Sequence, residues 1–172
     1  MNKARITAIL VAGFFLISAI PNVGQAQKAG LGLSYGDKLN MIGAQIDGTY
    51  RFYRLFRVAG NVSVFFPKEA DNSNNKWGWW SVNINGHIIF LEQGRFRSYA
   101  LTGINYATIQ VQSPDTGTNS VDSQIGLNAG GGIEYSFDFG DLYGESKYVF
   151  INDRYQQTTV QVGVRFYLGS SF

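Results

Sequence analysis

Seven ionizable residues fall on one side of the chain's alternating segments: Asp47, Arg51, His87, Glu134, Glu145, Lys147 and Arg165. Two carboxylates on neighbouring segments, such as Glu134 and Glu145, are the residue types that divide acid and base work in catalysis. His87 is a proton-transfer type as well, but it is the only histidine, which excludes any site that needs two. The runs Gly30-Leu31-Gly32 and Gly130-Gly131-Gly132 resemble phosphate-cradling loops in composition alone. Such a loop opens a helix whose N-terminus holds the anion, and each of these runs lies inside a continuing alternation with no helix after it. Neither metal-ligand spacing nor a nucleophile elbow occurs, so no metal, no cofactor and no catalytic residue is expected.

The segments that carry these charges alternate with period two, the signature of strands. Near the end of the chain Val160, Val162, Val164, Phe166 and Leu168 share one face, while Thr159, Gln161, Gly163, Arg165 and Tyr167 share the other. The same pattern sets Ile42, Ile46 and Phe52 against Gln45, Asp47 and Arg51, then Val58, Val62, Val64 and Phe66 against Ala59, Asn61, Ser63 and Phe65. It continues with Val82, Ile84 and Ile88 against Asn83, Asn85 and His87, with Leu127 and Ile133 against Asn128 and Glu134, and with Leu142 and Tyr148 against Glu145 and Lys147. Leu31, Leu33 and Tyr35 oppose glycines and Ser34 in the first segment. Residues 99–110 read as a strand whose facing stays open, because Leu101 competes with Ile104 and Tyr106 for the apolar face. These segments make eight strands of the length a tilted strand needs to cross a bilayer, about 9–11 residues. The expected fold is an all-β, eight-stranded, antiparallel up-and-down transmembrane β-barrel.

Compartment and charge follow from the first residues. Lys3 and Arg5 precede an apolar run over 6–20, and Gly24 and Ala26 supply the small residues of a secretory cleavage site. Residues 1–26 are expected to be a signal peptide and 27–172 one barrel domain. Of 14 Lys and Arg, two lie in the signal, leaving 12 against 12 Asp and Glu, so the mature chain is neutral and a nucleic-acid partner loses its electrostatic support. With no Cys, disulfides are excluded, and a closed hydrogen-bonded sheet is the remaining source of stability. Twenty-one Gly, 13 Phe and 10 Tyr with only 15% charged residues are a β composition.

Connection lengths orient such a barrel, since periplasmic turns are short and outer loops long. Short bends are expected at 53–57, 92–95 and 138–141, and longer polar segments at 67–76 and 112–122, with smaller ones at 37–40 and 152–156. Aromatic residues fall near both ends, Phe52, Phe90 and Phe137 on the short-turn side and Phe65, Phe66, Trp77, Trp79 and Trp80 on the other, where amphipathic rings settle at headgroup level. An eight-stranded barrel has just enough interior for its own side chains, and charges confined there must pair. Asp47, Arg51, Glu134, Glu145, Lys147 and Arg165 are therefore expected to form a structural ion-pair network in the periplasmic half, with His87 a satisfied interior group. Alternation alone does not exclude the inverse arrangement, a soluble periplasmic ligand-binding barrel with its apolar face inward.

The stretch Gly130-Gly131-Gly132-Ile133-Glu134-Tyr135-Ser136-Phe137, then Leu142-Tyr143-Gly144-Glu145-Ser146-Lys147-Tyr148 and Val162-Gly163-Val164-Arg165-Phe166-Tyr167-Leu168, resembles the last three strands of the small outer-membrane β-barrel family, of the outer-membrane protein A barrel and outer-membrane protein X type. The resemblance implies residence in the outer membrane among lipid and lipopolysaccharide, and insertion by the barrel-assembly machinery through a C-terminal aromatic signal, here Phe166, Leu168 and Phe172. It points to a monomeric, non-enzymatic protein with a structural, adhesive or protective role through its outer loops. The alternatives are a narrow pore, disfavoured by Arg51, Lys147 and Arg165 in the lumen, and a lipid-modifying enzyme similar to the lipid A deacylases. Those carry a His and Ser pair facing lipid, whereas here Ile89 stands two residues beyond a lumen-facing His87.

Overall fold

The computed structural model describes residues 27–38, 40–69, 76–113, 118–151 and 156–168. Eight strands follow one another: β1 (Gln27–Gly36), β2 (Met41–Tyr53), β3 (Phe56–Glu69), β4 (Lys76–Gln93), β5 (Phe96–Ser113), β6 (Thr118–Ser136), β7 (Gly140–Phe150) and β8 (Gln157–Tyr167). Each pairs antiparallel with the next, and β1 returns to β8 with Leu31 opposite Val164, so the sheet closes and has no edge around the barrel girth. Closure matters because a backbone N–H or C=O left open in hydrocarbon costs several kcal/mol or about that order. The chain is an eight-stranded antiparallel up-and-down β-barrel of the transmembrane kind.

The faces are sorted as a membrane requires. Ile84 is 63% exposed, Phe90 69% and Ile125 74%, while Gln45, Asn83, Asn128, Glu134 and Arg165 are buried. The apolar side of the alternation therefore points outward, which rules out the inverted soluble arrangement. In residues 99–110 the structure turns Tyr99, Leu101, Asn105, Ala107 and Ile109 inward and Thr102, Ile104 and Tyr106 outward. The sequence could not resolve this sector because its interior is itself partly apolar: Leu101 packs with Ile89 and Tyr99 inside the barrel.

Three joints at one end are tight. The β2–β3 turn is Arg54-Leu55, the β4–β5 turn uses Gly94 at φ 59°, and a short 137–139 link joins β6 to β7. Positive φ suits glycine because no Cβ meets the carbonyl. At the opposite end the strands run further than expected: β3 continues to Glu69, and β6 begins at Thr118 inside the predicted 112–122 segment. β4, β5 and β6 have 18, 18 and 19 residues against 10 in β1 and 11 in each of β7 and β8. Since about 9–11 residues cross the hydrocarbon, this part of the sheet projects beyond it.

The aromatic residues of that end are not all at headgroup level. Phe65 and Trp79 point into the lumen, 4% exposed each, and form an apolar cluster with Met41, Ala107 and Ile109 against which Trp77, Val111 and Ile151 pack. Phe65, whose alternation set it with Ala59, Asn61 and Ser63, and Trp79, in phase with Ser81, are carried inward by their strands rather than to the headgroup level expected from their place near the strand ends. The predicted signal peptide and Phe172 lie outside the described residues. Phe166 and Leu168 are exposed on the outer wall.

Candidate functional site: the lumen charge network

Five cations, Lys28, Arg57, Arg97, Lys147 and Arg165, meet four carboxylates, Asp47, Glu134, Asp141 and Glu145, inside the barrel. Neighbouring strands project these side chains inward at every second residue, so the pairs bridge between strands, apart from Lys147 and Glu145, which neighbour each other along β7. Glu134 on β6 is the hub. Arg57 donates through one nitrogen to both its oxygens at 2.7 and 2.8 Å, Arg165 donates at 2.5 Å, and Arg97 at 3.2 Å.

Arg165 on β8 joins this hub to a second carboxylate, with Nε 2.5 Å from Asp47, and its guanidinium lies 3.7 Å from the centroid of the Tyr143 ring. Glu145 accepts from the Tyr99 hydroxyl at 3.1 Å and stands 3.7 Å from Lys147 and 3.8 Å from Arg165. Nearer the short turns, Asp141 accepts from Lys28, from Ser136 at 2.8 Å and from Tyr167 at 3.2 Å, and Arg97 bonds it at 3.3 Å. A charge taken out of water is tolerated only when paired and hydrogen-bonded, and here both carboxylate oxygens of the hub are engaged.

His87 is part of this packing. Its Nδ1 faces Arg57 Nε at 3.2 Å and Nη2 at 2.9 Å. A guanidinium only donates, so Nδ1 is the acceptor and the proton sits on Nε2, which is buried without a hydrogen-bond partner among the described residues, so the expectation of a satisfied His87 holds at one ring nitrogen only. The imidazole stacks on Tyr99 at 4.6 Å, and Arg57 lies 4.6 Å from the centroid of that same phenol ring.

Above the charges lies an amide layer. Asn83 donates to Asn61 at 2.7 Å, Asn105 donates to Asn83 at 2.7 Å, and Asn128 donates to Asn83 and Asn85 at 2.9 Å. Gln45 donates to the Tyr143 hydroxyl at 2.5 Å. The Tyr143 ring needs the glycine pair Gly32 and Gly163 beside it: a Cβ on Gly163 would strike the Leu31 carbonyl and come within 2.9 Å of the ring. From the short-turn end upward the interior is thus filled by charges, then amides and hydroxyls, then the Phe65 and Trp79 cluster.

Of the six residues expected in the network, Asp47, Glu134, Glu145, Lys147 and Arg165 come together. Arg51 does not. It sits at the rim, where Glu92 accepts from it at 2.8 and 2.9 Å and the Arg54 carbonyl also accepts. Arg51 shares the lumen phase of Asp47, but the register shifts between Arg51 and Tyr53 at the hairpin end, and the side chain turns along the rim. The Arg51 hydrogen bonds hold the Glu92 carboxyl below its ordinary value, with Arg97 and Arg54 adding to the effect.

Lys28, Arg57, Arg97 and Asp141 were not anticipated. Each lies at the first or second residue of its strand, where a bend was expected for Arg57 and Asp141. The signal was the lumen phase itself, since Lys28 is in step with Gly30, Arg57 with Asn61, Arg97 with Tyr99 and Asp141 with Glu145. Glu134 and Glu145, the carboxylates whose types fit acid and base work, are both buried and held by cations. No cluster of three or more His, Cys, Asp or Glu able to hold a metal occurs among the described residues.

No protein-family model matches the chain, and no curated protein matches it in sequence. Solved structures match it in fold. The attachment invasion locus protein Ail of Yersinia pestis aligns with TM-score 0.62 at 16% identity, over 85% of this chain and 100% of that one. Neisserial surface protein A aligns with TM-score 0.65 at 18% identity, over 83% and 96%. The N-terminal β-barrel domain of Pseudomonas aeruginosa OprF aligns with TM-score 0.63 at 15% identity, over 85% and 100%.

Proposed function

We propose that this chain, which has the fold of the small eight-stranded outer-membrane β-barrels, is a closed, non-enzymatic outer-membrane anchor that holds the segments between its long strands outside the membrane. The observation that carries the reading is the filled lumen: Arg57, Arg97 and Arg165 clasp Glu134 across the short-turn half, and Phe65 and Trp79 pack across the other. Such an interior supports an anchor over a pore, because passage of an ion would require separating buried ion pairs at several kcal/mol or about that order. The projecting β4–β6 sheet supports a role at the cell surface, structural, adhesive or protective.

Charge narrows the partner. The four segments on the long-strand side, 37–40, 67–76, 112–122 and 152–156, hold Lys38, Lys68, Lys76 and Arg154 against Asp37, Glu69, Asp71, Asp115, Asp122 and Asp153, a net of −2. Ail has been solved with the heparin analogue sucrose octasulfate. A net negative end favours a neutral or cationic partner over a polyanion. On this reading insertion uses the barrel-assembly machinery, the outer wall contacts lipid and lipopolysaccharide, and the protein is a monomer. Planar-bilayer recording of the purified barrel tests it: no current steps of fixed size are expected, and steady unitary conductance replaces the anchor reading by a pore.

A further inference from the structure

We infer that the upper part of β6, residues 119–123, is a docking edge for an extended segment of another polypeptide, which adds to the projecting sheet as a further strand. β6 is paired on its two sides over different lengths. Toward β5 the ladder runs unbroken from Phe96 opposite Tyr135 to Ser113 opposite Thr118, whereas toward β7 it begins only at Leu127 opposite Phe150. Above Leu127, one side of β6 therefore has no strand beside it among the described residues.

Parity decides which backbone groups are open. At the foot of the strand the Ser136 N–H donates to the Arg95 carbonyl, on the β5 side, and the Phe137 N–H to the Gly140 carbonyl, on the β7 side, both at 2.7 Å. Successive residues of an antiparallel ladder turn their N–H and C=O to alternate sides. No register shift interrupts β6 toward either neighbour, so its even-numbered residues bond to β5 and its odd-numbered ones face the β7 side throughout. Asn119, Val121 and Ser123 thus turn N–H and C=O to the open side, where no backbone bond reaches them among the described residues.

Proteins ordinarily blunt such an edge with lysine, proline or a bulge. The segment Asn119-Ser120-Val121-Asp122-Ser123-Gln124-Ile125 has no lysine and no proline, a single charge and no bulge. About 9–11 residues cross the hydrocarbon, so counting upward from Ser136 leaves this edge outside it, within reach of a partner. Val121 is 62% exposed there, and Ser123 is exposed beside it.

The open groups select the occupant, because they recur at every second residue, about 6.6–6.8 Å apart, the repeat of another strand. A second copy in the same membrane does not supply that strand. A parallel β6 placed there would run down into the wall that β7 occupies, and an antiparallel one would require an inverted barrel. The incoming strand continues the alternation of the wall. Val121 and Ser123 lie on its outer face and Asp122 on its lumen face, where Gln124 donates to the carboxylate at 2.8 Å and no cation pairs with it among the described residues. The segment that fits therefore alternates apolar residues with Lys or Arg. Only the side of the membrane on which the partner is met rests on the surface role proposed above.

The test uses the full barrel in phospholipid nanodiscs and two short acetylated, amidated peptides, one alternating valine with lysine and the other valine with glutamate. Amide hydrogen exchange read by NMR needs no variant: Val121 and Ser123 are expected to exchange freely while Asp122 and Gln124 are protected, and the lysine peptide to slow the first pair at least about ten-fold. Ser123→Pro removes one open N–H and no bond to β5, so it should fold, as heat-modifiable gel migration checks, and bind the lysine peptide at least about ten-fold more weakly. Ser123→Ala should bind as the parent does. Equal binding by folded Ser123→Pro and the parent, protection of Val121 and Ser123 without peptide, or a glutamate peptide that binds as tightly as the lysine one overturns the site. Fractionation away from the outer membrane would overturn the anchor reading and leave these measurements unaffected.

Discussion

Replacing Glu134 by Gln keeps the size and planarity of the hub side chain and removes its charge. Arg165 keeps Asp47 at 2.5 Å and Arg97 keeps Asp141 at 3.3 Å, but Arg57 loses the one carboxylate it pairs with among the described residues and is left with His87 Nδ1 as its described side-chain acceptor. A buried guanidinium stripped of its counter-charge costs about 3–5 kcal/mol, a large share of the roughly 5–15 kcal/mol that holds a domain folded. Urea unfolding of the barrel in lipid vesicles, followed by tryptophan fluorescence, should show a fall of that size. The double variant Arg57→Met/Glu134→Gln removes both charges and should recover a substantial part of it, giving a coupling energy of about 2 kcal/mol or more. A Glu134→Gln midpoint within about 0.5 kcal/mol of the parent, where surface substitutions fall, would show that water already screens the lumen and refute the buried network.

Three further outcomes follow from the same geometry. Glu145→Ala removes the acceptor of the Tyr99 hydroxyl and the carboxylate nearest Lys147, and its melting temperature in detergent should fall by an amount corresponding to about 2–4 kcal/mol. Gly163→Ala drives a methyl into the Leu31 carbonyl and the Tyr143 ring, so it should cost about 1–3 kcal/mol by urea unfolding, whereas Gly60→Ala, with open space around it, should cost little or nothing. At the rim, Arg51→Gln should cost under about 1 kcal/mol, because the Arg51–Glu92 pair is partly exposed. The small contribution of Glu92 has a defined pH dependence: with its folded value lowered, it is present above the ordinary carboxyl value and disappears as the pH falls through the lowered one, so the parent and Arg51→Gln should converge in stability in acid.

The barrel was legible because one physical constraint repeats along the whole chain. Lipid on one side and a packed lumen on the other force period two, and Val160, Val162, Val164 and Phe166 show it without ambiguity. Where the interior departs from being polar, the reading loses its contrast: Leu101 and Ile109 point inward beside Ile89 and Phe65, so residues 99–110 looked two-sided. Phe65 was read with two signals that conflict, a lumen phase shared with Ser63 and a place near a strand end that suits headgroup level; for it and Trp79 the phase decides, and both join a mouth cluster. Arg51 shows the opposite weakness, correct phase defeated by a register shift at a hairpin. Arg57 and Asp141 were hidden by expected bends that the structure makes part of strands, which is where boundaries read from sequence are least secure. That Glu134 gathers three guanidiniums was not legible at all, since Arg57, Arg97 and Arg165 meet it from three other strands.

The central claim, a barrel closed across the outer membrane, is tested most directly by fractionating cells that export the full chain and running the membrane fraction on a gel with and without boiling. The account predicts recovery with the outer membrane and a compact, faster-migrating species before boiling that converts to a slower one after it. Recovery in the soluble periplasmic fraction, with one mobility in both lanes, would contradict it.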